Sequence, residues 1–213
     1  MEKKNIRLII FDMDGVVLNS EPFHEIARQA MYKRLGIRKT EDFPEPVGTS
    51  ASGFWRKVLE QQGMTGDPVA LQQEQYQRVE DQIRENHLGP SDGLLEVFAW
   101  ARELGIKIGL ASSSTQPLVN HTLDLVHVRE YFDFVVAGDQ VSHKKPDPEI
   151  YCKVMELAGE APDVTIAVED TAAGIASARA AGIFCYGYDN PTSGPQDLSG
   201  ASRIIRNLRE ITD

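Results

Sequence analysis

Two aspartates two residues apart, Asp12 and Asp14, directly follow an apolar, β-rich segment at residues 6–11. Three further strand-like segments also end in groups able to do chemistry. Residues 106–111 run into Ser112-Ser113-Ser114, residues 134–137 lead to Asp139 and on to Lys145, and residues 164–168 run into Glu169-Asp170. Taken singly, each set reads as helix N-caps or solvated side chains. Their coincidence at four strand ends points instead to one site, because ligands of open parallel α/β sheets bind at the carboxyl ends of the strands. Several carboxylates at one spot repel one another unless a hard cation lies among them. Magnesium suits such a set, since it prefers oxygen ligands and keeps water positions for a substrate phosphate. With a lysine and hydroxyls nearby, the site can neutralise a phosphoryl group, and a carboxylate nucleophile can form an acyl phosphate. Hydrolysis in two displacements needs a second acid/base. Asp14 shares a face with Asp12 if the strand continues that far.

The elements that must hold these groups follow from periodicity. Beyond Gly89-Pro90, helices and strands alternate, which implies a parallel sheet covered on both faces. One helix carries Leu94, Phe98 and Ala101 and stops at Gly105; another begins at Asp147-Pro148-Glu149; a small-residue helix spans residues 171–181 before Gly182; and residues 203–205 read as a short edge strand. Residues 21–87 differ. Seven glutamines fall between Gln61 and Gln82, Phe23, Ile26 and Ala30 form one helical stripe, and Tyr76, Val79 and Ile83 form another. Breaks at Gly36, at residues 44–48 and at residues 63–68 divide this stretch into three or four helices. Trp55 and Trp100 fit amphipathic faces as packing groups, and Trp55 is also a candidate for bordering a substrate pocket.

Composition sets limits on function. The 213 residues are 41% apolar, enough for an ordinary core. A formal net charge of -10 argues against a nucleic-acid partner. No apolar run has the length of a membrane span, and no signal peptide is expected. Cys152 and Cys185 lie in helix or strand segments without metal-binding spacing, and both are expected to be structural thiols in the reducing cytoplasm.

Four tetrads in order, Asp12-Met13-Asp14-Gly15, Ala111-Ser112-Ser113-Ser114, Lys145-Pro146-Asp147-Pro148 and Glu169-Asp170-Thr171-Ala172, make the chain resemble phosphatases and phosphomutases of the haloacid dehalogenase superfamily. The resemblance covers essentially the whole chain. It implies an α/β fold with a Rossmann-like parallel sheet core, residues 1–17 and 89–213, and an inserted all-α cap domain, residues 18–88. It further implies Asp12 as nucleophile and Asp14 as general acid/base. Ser112, Ser113 and Lys145 would hold the phosphoryl group, and Mg2+ would lie on Asp12, the Asp14 carbonyl and Asp170, with Glu169 as ligand or support. An acid at position 14 favours phosphoryl chemistry over dehalogenation. Where the family commonly has glycine before the lysine this chain has Lys144, which leaves open which lysine reaches the phosphate. The implied substrate is a small phosphorylated metabolite, a sugar phosphate being the leading example, and the implied state is a monomer or weak homodimer.

The resemblance also admits a β-phosphoglucomutase-type phosphomutase. His24 sits where that mutase has a histidine contacting the acid/base, although a histidine on a helix surface fits the same spacing. Against it, Gly48 is followed by Thr49-Ser50-Ala51-Ser52 rather than by an arginine, and Thr115-Gln116 replaces a Lys-Asn pair. Arg56 or Lys57 are candidates to replace the missing clamp on a distal phosphate. A phosphatase is therefore the preferred reading. A catalytically inactive binding module of the same fold would be expected to have lost Asp12, Asp14 or Lys145, and all three are present. Cap movement is expected about residues 18–21 and 87–91.

Overall fold

The computed structural model describes residues 5–46 and 50–212. Six strands form one sheet: β1 (Leu8–Phe11), β2 (Lys107–Ser112), β3 (Phe134–Ala137), β4 (Thr165–Glu169), β5 (Phe184–Tyr188) and β6 (Arg203–Ile205). Their order is β3-β2-β1-β4-β5-β6 and every pairing is parallel. All four residues of β1 are fully buried, as a central parallel strand requires. Successive side chains point to opposite faces. Ile9 and Phe11 therefore pack with Leu94, Val97 and Phe98 of α4 (Leu94–Glu103), while Leu8 and Ile10 meet Tyr151 and Val154 of α6 (Glu149–Ala158). Two helices complete the covering, α5 (Gln116–Leu125) on the first face and α7 (Ala172–Ala180) on the second.

Between β1 and α4 the chain forms three helices, α1 (Glu21–Leu35), α2 (Ala51–Gln61) and α3 (Pro68–Glu85). They share a small core of Met31, Tyr32, Phe54, Trp55 and Val58. Thus the architecture is α/β with a parallel sheet and a helical insertion after the first strand.

Three sequence expectations are corrected. The stripe of α1 is not Phe23, Ile26 and Ala30: Ile26 is half exposed, and the buried residues are His24, Ala27, Arg28, Met31 and Tyr32. Periodicity selects apolar residues, whereas this helix also turns polar side chains towards a cleft. Second, the strand does not persist to Asp14. It ends at Phe11, and a turn follows in which Val17 N donates to Met13 O at 2.9 Å and Gly15 N to Leu18 O at 2.8 Å. Third, Cys152 is exposed on α6 and only Cys185 is buried, in β5. The edge strand at residues 203–205 is present. Among the described residues no helix is long and apolar enough to cross a membrane.

Candidate active site

Parallel registration brings the carboxyl ends of the central strands to one edge. Phe11 lies beside both Leu110 and Val168, and Ser112 beside Ala137. Asp12 therefore leaves β1 next to the serines that end β2 and next to Glu169 and Asp170 at the end of β4. Lys145 arrives from the loop after β3 and is buried, with its ammonium fully engaged. Nζ donates to Asp12 Oδ1 at 2.6 Å, to Glu169 Oε1 at 2.5 Å and to Ala111 O at 2.8 Å. An ammonium has three N–H donors, so these contacts use all of them. Burial alone would lower the Lys145 pKa, but the charges of Asp12 and Glu169 reverse that and hold it protonated.

Asp12, Glu169 and Asp170 each bring an oxygen within 4.8 Å of the others. Burial, then the charge of Glu169, pushes Asp12 well above the usual carboxylate range despite Lys145. Burial likewise pushes Asp170 up to about 7, opposed by the hydrogen bond from Ser193 and reinforced by Glu169. Two oxygens of the set, Glu169 Oε2 and Asp170 Oδ1, are buried without a hydrogen-bond partner among the described residues. Such orphans are costly in water-free surroundings. A clustered, oxygen-only set with unpaired anionic lone pairs fits a hard divalent cation. Close backbone approach makes the set possible. A Cβ on Gly174 would lie 2.0 Å from Glu169 Oε2, and one on Gly15, whose φ is +81°, would lie 1.9 Å from Asp170 Oδ2.

The Asp14 carboxylate is absent from that cluster and turns towards the helical insertion. Oδ1 accepts from Ser20 Oγ at 2.5 Å and lies 3.3 Å from His24 Nε2, and Oδ2 accepts from Ser114 Oγ at 3.1 Å. Burial opposes its charge, but the His24 contact and the two hydroxyls leave its pKa below the ordinary value. His24 continues inward, its Nδ1 3.3 Å from Gln75 Nε2, while Gln75 Oε1 accepts from Trp55 Nε1 at 2.8 Å. An indole N–H only donates, so the Gln75 oxygen is assigned to Trp55 and its amide nitrogen to His24. His24 Nδ1 is then an acceptor, and in the neutral ring Nε2–H points at Asp14.

A cleft of about 190 Å³ opens over Asp12, Asp14, Lys145 and Asp170, with Ser113, Lys144 and Arg28 also on its wall. A second cavity of about 120 Å³ adjoins it past Asp14, lined by His24, Gln75, Tyr76, Phe54 and again Arg28. Ser112 lies beneath, almost wholly buried, its Oγ accepting from Ser114 N at 3.1 Å. Trp55 lines neither cavity. It is fully enclosed among Tyr32, Phe54 and Val58, so its place is in the insertion's core and not on the pocket wall. Arg56 and Lys57 are exposed and also line neither cavity, because α2 buries Phe54, Trp55, Val58 and Leu59 instead. Gly48 and Thr49, the site of the missing clamp, lie outside the described residues.

Residues 6–182 match the family model described as haloacid dehalogenase-like hydrolase. The chain belongs to this family. It is 31% identical to the fructose-1-phosphate phosphatase YqaB of Escherichia coli over 82% of this chain and 92% of that protein. It is 28% identical to the phosphoglycolate phosphatase of Pseudomonas putida over 96% of this chain and 78% of that one. Among solved structures, the putative β-phosphoglucomutase of Thermotoga maritima superposes with a TM-score of 0.76 at 27% identity, covering 97% of each chain.

Several residues of this haloacid dehalogenase-like site carry no motif signal. Tyr151 donates to Glu169 from the first turn of α6, and Ser193 reaches Asp170 at 2.5 Å from a loop with no secondary-structure pattern. Asn190 ties the turn after β1 to that loop through Gly15 O at 2.7 Å. Ser114 belongs to the second motif, and Ser20 follows the first by a few residues.

Proposed function

We propose that the protein is a Mg2+-dependent phosphatase of a small phosphorylated metabolite, such as a sugar phosphate, acting through an aspartyl-phosphate on Asp12. The observation that carries this reading is the convergence of Asp12, Lys145, Glu169 and Asp170 under an open cleft, with two buried carboxylate oxygens left unpaired. Asp12, Asp170 and the Asp14 carbonyl would hold the ion, with Glu169 as a ligand or as the support that Lys145 and Tyr151 fix. When bound, the cation supplies charge neutralisation for the phosphoryl oxygens.

The chain's own groups divide the remaining work. Lys145 holds Asp12 Oδ1, so the other carboxylate oxygen is presented to phosphorus. Attack forms the Asp12–phosphorus bond and breaks the bond to the ester oxygen, to which Asp14, a carboxylate in the free enzyme, relays the proton that the phosphomonoester monoanion brings into the site. Asp14 then takes a proton from water as that water's oxygen attacks phosphorus, releasing inorganic phosphate and restoring Asp12. Ser20, Ser114 and His24 keep Asp14 aimed for both steps. The helical insertion, residues 18–88, acts as the cap that covers the substrate. Phosphatase is preferred to mutase because Arg56 and Lys57 are exposed and line neither cavity, and because Thr115-Gln116 stands where the mutase would carry a Lys-Asn pair.

The test is release of inorganic phosphate from acetyl phosphate and p-nitrophenyl phosphate. Magnesium should support turnover and excess EDTA should remove it. Asp12→Asn, isosteric but uncharged, should lower kcat by about four orders of magnitude or more while the protein stays folded. Turnover surviving in carefully purified Asp12→Asn would end the proposal.

A further inference from the structure

Arg28 is a cation that the reaction scheme leaves unused. It is 8% exposed, and it lines both the cleft over the reacting carboxylates and the adjoining cavity. Its position follows from helix geometry. His24 contacts Asp14 directly, and Arg28 stands four residues later on the same face of α1, one helical turn or about 5.4 Å further along the helix.

Its charge is only partly compensated. Nε lies 3.1 Å and one terminal nitrogen 3.0 Å from the same Glu25 oxygen. Glu25 is itself 46% exposed and shared with Gln29 and with Lys39 at 3.7 Å. No acceptor for the other terminal nitrogen occurs among the described residues. Burying a guanidinium costs free energy unless an anion meets it, and its planar fork matches a carboxylate or phosphate. Glu21 on the same wall disfavours an anion placed at random, which leaves the Arg28 end of the cavity as the favourable position.

We propose that Arg28 is a specificity-determining residue that binds a second anionic group of the substrate, a carboxylate or a second phosphate lying a few bonds from the transferred phosphoryl group. This rests on the phosphatase reading above and narrows its substrate class to phosphomonoesters with an acidic tail.

The test compares kcat/KM for three probes in the magnesium-loaded enzyme: 2-phosphoglycolate, with a carboxylate tail; fructose 1,6-bisphosphate, with a phosphate tail; and fructose 1-phosphate, whose tail is uncharged. The native enzyme should prefer at least one acidic-tail probe, and which one identifies the group that Arg28 reads. In Arg28→Gln the ratio of acidic-tail to neutral-tail kcat/KM should fall by about tenfold to a hundredfold, the worth of a charge-assisted hydrogen bond, mainly through KM. Arg28→Lys should restore part of it, because charge remains and the fork is lost. A purely structural role would lower all three probes alike and leave the ratio intact. An unchanged ratio in Arg28→Gln, a native preference for the neutral tail, or collapse of the ratio in Lys144→Gln but not in Arg28→Gln would each overturn the proposal. Failure of the underlying phosphatase reading looks different: no probe, acetyl phosphate included, would release phosphate.

Discussion

His24 stands under opposed influences. Burial disfavours its protonated form, while the hydrogen bond and charge of Asp14 outweigh that and raise its pKa. Gln75, held by Trp55, offers a donor to Nδ1 and so supports the neutral ring. The sign of the pH effect follows from the raised value. Stabilisation by His24 is fully present below its ordinary pKa, about 6.5, and is lost as pH rises through the folded-state value. Asp14, with a lowered pKa, contributes above its ordinary value, about 4, and loses that contribution as pH falls. Urea unfolding should therefore find His24→Gln less stable by about 1–3 kcal/mol near pH 6. The gap should narrow as pH rises towards about 9. A gap that stays level over this range would show that the pair adds no pH-linked stability.

At the scale of elements, the helical insertion owes its shape to a few aromatic contacts. Trp55 fills the space between α1, α2 and α3, edge-on to Tyr32 at 5.8 Å and to Phe54 at 5.3 Å, and its N–H reaches Gln75. Trp55→Ala should cost about 3–5 kcal/mol, the usual loss for emptying a buried aromatic site. Its effect on activity should come through Gln75 and His24 rather than through lost substrate contact. Chemical denaturation measures the first. A destabilisation below about 1 kcal/mol would mean that the side chain is not enclosed as described.

For the whole molecule, the insertion and the sheet domain meet across the site, since Asp14 belongs to the turn after β1 and His24 to α1. The two connecting segments lie side by side, with Ser91 N donating to Val17 O at 2.8 Å. That adjacency suits a paired hinge, through which, on the proposed function, substrate would enter between the two parts. Small-angle scattering should show a smaller radius of gyration with magnesium and a phosphate transition-state mimic than without them. Identical profiles would remove the hinge from the mechanism.

The acid pair, the serines, Lys145 and Glu169-Asp170 were legible because strand ends and turn chemistry are local: an apolar β run followed by polar residues marks an edge without knowledge of the partner strands. The alternation of helices and strands likewise specified a covered parallel sheet. What α1 buries was not legible, because apolar periodicity cannot reveal that His24 and Arg28 face a polar cleft in place of Ile26 and Ala30. Nor could the chain alone place Trp55 inside, turn Asp14 towards Ser20, or bring Ser193 to Asp170, and the His24 contact with Asp14 was suggested only by the family resemblance. Those are contacts between segments distant in sequence, and packing of the whole chain decides them, since no local preference encodes which side chain arrives from elsewhere to satisfy a buried charge.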